Sequence, residues 1–228
     1  MTNPPISANG LARRSFLASL AAGSAFAAQR FARGPQPEEA PVAPVAELRG
    51  PPRRSDNIPD LMVTNQYGER KRLYNDLIRD QIVLVSFFYI NCNGSCPGTL
   101  GVMDSLRFDL SPILGDRLRL VSISLDPERD TPAALAKFAL PVTETATPGL
   151  APWTFVTGTV EDLEQARIAF GYRDPDPEID KVRSNHAALI TFGNDLLDRW
   201  GALPVGLRPR PLRKGIVRIV SPTTSLPA

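Results

Sequence analysis

The chain has 228 residues, of which 43% are hydrophobic and 22% charged, a composition typical of a soluble globular protein with one domain of about 150 residues. Removing residues 1–27, interpreted below as a signal peptide, leaves 24 basic and 24 acidic residues. This balance argues against general nucleic-acid binding, which needs a basic face. Two Cys and one His also exclude a zinc site built from four Cys and His ligands of one chain.

Residues 1–27 have the layout of a twin-arginine signal peptide. Arg13 and Arg14 precede an uncharged run, and Ala25-Phe26-Ala27 forms a small-x-small cleavage site. The run at 17–28 has 12 residues, well short of the roughly 20 that span a bilayer. An uncleaved anchor is therefore the less favoured alternative. We expect export in the folded state to an oxidising bacterial periplasm, with no stable membrane span after processing.

The rest of the chain divides into three predicted segments. Residues 28–57 are rich in Pro and predict an extended linker. Residues 58–200 carry the periodic apolar patterns of a folded domain. Residues 201–228 form an Arg/Pro-rich tail with five basic residues, five Pro and no acid. We expect this tail to lie over the domain as an extended strap, and the alternative is an arm that binds a partner.

Helices and strands alternate along the predicted domain. In chain order we predict a hairpin (61–64 and 71–74), a central strand (82–89), a helix from about 97, a second central strand (118–125), a helix from 131 to about 140, a short strand (154–156), a helix (161–170) and a last hairpin (187–192 and 196–200). This order predicts an α/β fold, with a central, mostly parallel sheet flanked by helices and an added β-hairpin.

Cys92 and Cys96 are separated by three residues, at the turn from the first central strand into a helix. This turn is where a thioredoxin-like domain keeps its dithiol, and ligands of open α/β sheets bind at the carboxyl ends of strands. A helix N-terminus favours the thiolate form of a cysteine placed there. The spacing leaves three alternatives open: a structural disulfide, a redox dithiol, or a site for a soft metal such as Cu(I).

His186 is the single histidine and lies just before the last predicted parallel strand, 187–192. A lone histidine is more often structural than a ligand. The loop before it, residues 174–180, is long and stiffened by Pro, and long ordered loops are usually functional. Such a loop could place His186 over the dithiol, where an added imidazole would suit Cu(II) as well as Cu(I).

Four ordered blocks of sequence resemble the Sco/SenC family of copper proteins. They are the aromatic-led Cys-x-x-x-Cys-Pro run at 87–97, the strand followed by Asp-Pro-x-x-Asp-Thr-Pro at 121–132, the Trp-led block at 153–158, and His186, ninety positions after Cys96. The resemblance covers roughly residues 60–200. It implies a thioredoxin-like fold and copper held by Cys92, Cys96 and His186. It also implies delivery of copper to, or reduction of, the copper site of cytochrome c oxidase.

We therefore expect a periplasmic copper chaperone. Its partners would be a subunit of a respiratory oxidase or another cuproprotein, and a thiol reductase that keeps the pair reduced. The alternative is an enzyme, a thiol–disulfide oxidoreductase with Cys92 and Cys96 as its catalytic dithiol. A thiol peroxidase is a weaker candidate, because the chain has no Thr-x-x-Cys arrangement.

Overall fold

A seven-stranded sheet forms the centre of the domain. The computed structural model describes residues 52–92, 96–143, 147–182 and 188–221, so the predicted signal peptide and most of the predicted linker lie outside the described residues. The strands are β1 (Met62–Asn65), β2 (Arg70–Arg72), β3 (Ile82–Phe88), β4 (Leu118–Ser124), β5 (Trp153–Thr157), β6 (Leu189–Asn194) and β7 (Arg199–Pro204). Their spatial order is β2-β1-β5-β4-β3-β6-β7.

Helices cover both faces of this sheet. They are α1 (Leu73–Leu77), α2 (Cys96–Leu114), α3 (Pro132–Thr143), α4 (Val160–Ala169), α5 (Pro177–Asp180) and α6 (Pro209–Val220), with 3-10 turns at Arg54–Asn57 and Gly115–Arg117. One core contains side chains of α2, α3 and α6, and the other contains side chains of α1 and α4. None of the helices in the described ranges has the length and apolar character needed to cross a membrane.

The apolar patterns explain the layering. All seven residues of β3 are buried, as expected for a strand covered on both faces. Two helices begin at capped positions: Thr131 Oγ1 accepts a hydrogen bond from the backbone N–H of Ala134 (3.3 Å), and Thr159 Oγ1 accepts one from that of Asp162 (3.1 Å). The chain therefore turns into α3 and α4 at positions fixed by local hydrogen bonding.

The predicted α/β fold class is confirmed. The pairs β3–β4 and β4–β5 are parallel, and the predicted first hairpin is the antiparallel pair β1–β2. The strand after His186 was expected to be parallel, and this is wrong: β6 runs antiparallel to β3, with Val85 opposite Thr191. After α4 the chain returns to the end of the sheet where β3 finishes. Strand β6 therefore starts there and runs antiparallel to β3.

The two ends of the domain extend beyond the predicted limits. Ser55, in the predicted linker, is buried, and the backbone N–H of Arg54 donates to Asp198 Oδ2 (2.9 Å). The C-terminal segment is not the extended strap we expected. After β7 it forms α6, which places Leu212, Ile216, Val217 and Val220 in the core. Their spacing of three or four residues gives the helix one apolar face.

Candidate metal centre

The thiol-bearing residues lie at the carboxyl edge of the central strands, called here the thiol edge. Phe88 and Ser124 are paired at the ends of β3 and β4, so the segments that follow both strands start side by side. Cys92 follows β3 in a turn in which its N–H donates to the Tyr89 carbonyl (3.2 Å). Cys96 is the first residue of α2. The two predicted cysteines are therefore brought to one place by a loop and a helix.

Helix α2 gives Cys96 a rigid support. Its buried side chains include Met103, Leu106 and Leu110, which repeat at helical spacing and anchor it in the core. Pro97 occupies the first turn, where a proline removes no intrahelical hydrogen bond. The buried face and Pro97 therefore fix the first described turn of α2, and with it Cys96, on the sheet.

Burial controls the protonation of Cys96. Both cysteines are present as thiols, with 7% of Cys92 and 2% of Cys96 exposed. Burial, and after it the hydrogen bond of the Cys96 thiol to the Cys92 sulfur, raises the pKa of Cys96 to about 12. The helix N-terminus was expected to favour the thiolate, but loss of solvent outweighs it here. A cation that binds the two sulfurs would supply the charge that the surroundings lack.

A buried carboxyl group holds the loop that carries Cys92. Asp130 accepts a hydrogen bond from Ser124 Oγ (2.6 Å) and one from the Ile90 backbone N–H (3.2 Å). It is 1% exposed, and burial raises its pKa. Asp130 therefore orients the loop beside the site, while the neighbouring Thr131 caps the next helix.

A cavity of about 330 Å³ opens beside the thiols. Cys92 and Cys96 line it together with the aromatic residues Tyr89, Phe138, Trp153 and Phe155. Among the described residues of its lining, Asp104 is the only one that is charged at neutral pH. The surroundings of the sulfurs are therefore mainly apolar, which suits soft, polarisable ligand chemistry better than binding of a hard, hydrated ion.

The aromatic lining is held by specific contacts. Trp153 Nε1 donates to Ser122 Oγ (2.9 Å), and the Trp153 ring stacks on Phe155 with centroids 5.0 Å apart. Phe138 stacks on Phe88 at 5.4 Å. Trp153 thus packs in the core and also lines the cavity.

A buried arginine ties the two walls of the cavity together. Arg107 on α2 donates through Nε to the Ala151 carbonyl and through Nη1 to the Val142 carbonyl, both at 2.6 Å. Burial lowers the pKa of this guanidinium. In the sequence Arg107 resembles any surface arginine of a helix, so its role was not predicted.

His186 lies outside the described residues, so its predicted place beside the thiols stays a prediction. The chain before it is described as far as Val182 and is fixed by Arg167. This guanidinium makes two 2.8 Å hydrogen bonds to the Asp180 carboxylate and also binds that of Glu164. Within the described residues, no group of three His, Cys, Asp or Glu side chains is placed to hold a metal ion.

These features define a thioredoxin-like domain with a buried dithiol at the junction of a strand and a helix. Two thiols in mutual contact fit a soft metal ion, because thiolate sulfur is the donor that Cu(I) prefers. The same pair also fits thiol–disulfide exchange. The geometry of the described residues is compatible with both kinds of chemistry.

The chain belongs to the SCO1/SenC family, whose model matches residues 53–199. A SCO1 protein homolog of Bacillus subtilis (strain 168) is 33% identical over 76 residues, which are 33% of this chain and 39% of that protein. The match with this relative thus spans about two fifths of the relative's length. The predicted family resemblance is confirmed.

Solved structures show the same fold. Yeast Sco1 with copper bound superposes with a TM-score of 0.54 at 20% identity, over 72% of this chain and 95% of that one. BsSco, described as a Sco-family cytochrome c oxidase assembly protein with a disulfide switch, superposes with a TM-score of 0.51 at 23% identity, over 73% and 94% of the two chains.

Proposed function

We propose that this protein is an exported copper carrier in which Cys92, Cys96 and His186 hold the ion. Copper is its cargo, delivered to the copper site of a respiratory oxidase or of another cuproprotein. The observation that carries the proposal is the contact between two buried thiols that line one cavity. Membership of the SCO1/SenC family supports it, as does the yeast relative solved with copper bound.

The donor set matches both oxidation states of copper. Two thiolates suit Cu(I), and an imidazole added to them suits Cu(II). Three protein ligands leave coordination positions open, through which an acceptor's ligands replace those of the carrier one at a time. Export through the twin-arginine route would place the carrier in an oxidising compartment, so a thiol reductase is needed to keep the pair reduced.

Copper titration of the reduced protein tests the ligand set. We expect one tightly bound copper per chain and a thiolate-to-Cu(II) absorption band. Cys92→Ser and Cys96→Ser should each abolish that band, and His186→Ala should weaken binding and collapse the band. Ser105→Ala, on the exposed side of α2, is the matched control and should bind as the unmodified protein does. Weak copper binding that is the same in the unmodified chain and in His186→Ala would contradict the carrier function.

A thiol–disulfide oxidoreductase is the second candidate, and the contact between the two thiols favours it. One thiolate attacks a client disulfide, forming a mixed disulfide and releasing one client thiolate. The second thiolate then attacks the mixed disulfide, which releases the other client thiol and leaves a Cys92–Cys96 disulfide. The client gains two electrons and the pair loses two, which a thiol reductase restores. Exchange of this kind should survive His186→Ala.

The export route has its own test. Replacing Arg13 and Arg14 together by Lys keeps the charge but removes the pair that marks the twin-arginine signal. We expect the variant to stay in the cytoplasm as the uncleaved precursor. Cell fractionation with detection of the two chain lengths measures this, and periplasmic, processed variant protein would contradict the proposed route.

A further inference from the structure

The exposed side of α6 carries a row of cations that the copper site does not use. Arg210, Lys214 and Arg218 follow one another at intervals of four residues and are exposed, as is Arg208 at the N-terminal cap. We call these four residues the basic stripe. No acid occurs from residue 201 onward. Within the described part of the chain, none of the four forms an ion pair.

The placement of these charges works against the helix itself. Like charges four residues apart on a helix repel each other. Cations at a helix N-terminus also oppose the helix dipole, and the first turn of α6 has no acid to offset Arg208 and Arg210. The stripe thus costs stability, and no described residue offsets this cost. An anionic partner from outside the domain would offset it by neutralising the cations.

The stripe starts at the thiol edge. Leu189 pairs with Pro204 where β6 enters the sheet, at the edge where β3 ends, and α6 begins shortly after that point. At the other end of α6, the Val220 carbonyl accepts a hydrogen bond from Asn194 Nδ2 (2.7 Å), and Asn194 pairs with Ile82 at the start of β3. The helix therefore runs away from the thiol edge, with Arg208 and Arg210 nearest to it.

We infer that the basic stripe docks an acidic surface of the protein that receives copper, an inference that rests on the proposed carrier function. Charge complementarity defines the partner, and the position of Arg208 and Arg210 directs that partner toward the thiols. An anionic membrane fits the observations less well. The apolar face of α6 is buried in the core, so the helix offers only charges to a bilayer.

The first test measures binding without copper. The probe is a labelled glutamate homopeptide, with a glutamine homopeptide as its neutral counterpart, added to the full reduced chain. We expect salt-sensitive binding of the glutamate peptide, about tenfold weaker in the double variant Arg210→Glu/Lys214→Glu. The control double variant, Arg70→Glu/Arg117→Glu, changes the net charge equally at exposed sites outside α6 and should bind as the unmodified chain does.

The stripe variant should remain folded. An acid in the first turn of α6 is favoured by the helix dipole, so Arg210→Glu should leave the melting temperature unchanged or raise it. If the stripe variant melts at the same or a higher temperature than the unmodified chain, its loss of peptide binding cannot be attributed to unfolding. Equal binding of the glutamate peptide by the stripe variant and the unmodified chain would overturn the inference.

The second test measures transfer of Cu(I) to a two-cysteine acceptor peptide flanked by Glu, compared with the same peptide flanked by Gln. Each sulfur–copper bond lost by the carrier is replaced by one to the acceptor, and the acceptor's thiol protons pass to the carrier, so no electron moves. We expect faster transfer to the acidic peptide, and loss of this preference in the stripe variant. Equal rates for both peptides with the unmodified chain would overturn the inference.

Three further outcomes separate the explanations. Stripe-dependent binding to vesicles of phosphatidylglycerol, without binding of the glutamate peptide, would overturn an acidic protein partner in favour of a membrane. Copper stoichiometry is measured on the same samples. Normal copper loading without peptide binding would remove the docking inference alone. Peptide binding without copper loading would remove the carrier function and leave the basic stripe as a docking surface for an acidic partner.

Discussion

Two buried carboxyl groups lie at opposite ends of the central strands. They show how differently the thiol edge and the opposite edge are built. Asp195 follows β6 at the edge away from the thiols. It accepts hydrogen bonds from the Asp80 N–H (2.9 Å) and the Tyr74 hydroxyl (3.2 Å), and its carboxylate lies 3.6 Å from Arg53. Asp130, at the thiol edge, receives a hydroxyl and one backbone N–H.

The difference lies in what each group ties together. Asp195 joins three distant parts of the chain into a fixed corner. Asp130 fixes one loop, the one that leads to Cys92, and it does so without a cation in contact with it among the described residues. Asp195 therefore contributes mainly to stability, whereas Asp130 contributes less to stability and holds the loop of the thiol site in place.

Removing the carboxylate of the fixed corner should have the largest effect. Asp195→Ala would remove a fully buried carboxylate that accepts hydrogen bonds from the Tyr74 hydroxyl and the Asp80 N–H, and we expect a loss of about 3 kcal/mol in the free energy of unfolding. Urea denaturation measures this. Asp198→Ala, in the same turn but half exposed, should cost about 1 kcal/mol. Equal losses for the two variants would contradict the importance of the corner.

Opening the cavity wall should have the second-largest effect on stability. Phe138→Ala removes a ring that stacks on Phe88 and meets Phe155 edge-on. Since Phe138 is half exposed, we expect a loss of about 2 kcal/mol, together with faster alkylation of the thiols by iodoacetamide. Phe108→Ala, which removes an exposed phenylalanine from α2, is the control. An unchanged alkylation rate in the Phe138 variant would show that this ring does not shield the sulfurs.

A smaller effect is expected at the other carboxyl group. Asp130→Ala removes the acceptor of the Ile90 N–H but also relieves the burial of an acid, so we expect a loss of about 1–2 kcal/mol. Copper affinity should fall as the Cys92 loop loses its support, and Asp130→Asn should restore most of it. Full affinity in the alanine variant would separate Asp130 from the site.

The smallest effect is a pH dependence. Because burial raises the pKa of Asp130, its contribution to stability is fully present below the pKa of the unfolded chain. That contribution is lost as the pH rises through the higher pKa of the folded state. Asp130→Asn should therefore flatten the fall in stability above the ordinary Asp range. Urea midpoints over a pH series measure it, and an identical slope in both proteins would contradict the assignment.

The sequence predicted the elements whose signals are local. The unbroken apolar run of β3, Thr131 before α3 and the cysteine spacing each identify an element without reference to the rest of the chain. The direction of β6 was not predictable, because it depends on the path of the connection after α4. The helix at Pro209–Val220 was missed because its prolines and basic residues concealed an apolar face of four residues.

The candidate site was predicted in part for a similar reason. Cysteines are rare in this chain, so their chemistry could be recognised directly. Arg107 and Phe138 belong to common residue types, and their roles depend on contacts made only in the folded chain. Arg107 donates to the Val142 and Ala151 carbonyls, and Phe138 packs on Phe88 and Phe155. The raised pKa of Cys96 could not be predicted either, because burial depends on the assembled cavity.

The place of β6 in the sheet has a consequence for how the chain is made. Strand β6 lies between β3 and β7, but it is synthesised about a hundred residues after β3. Until the ribosome has released β6, one side of β3 has no neighbouring strand. Its seven residues are apolar or small, and an unpaired strand of this kind can pair with other chains. The newly made chain therefore exposes this strand edge until its last hairpin is complete, and we expect a truncation before residue 189 to aggregate.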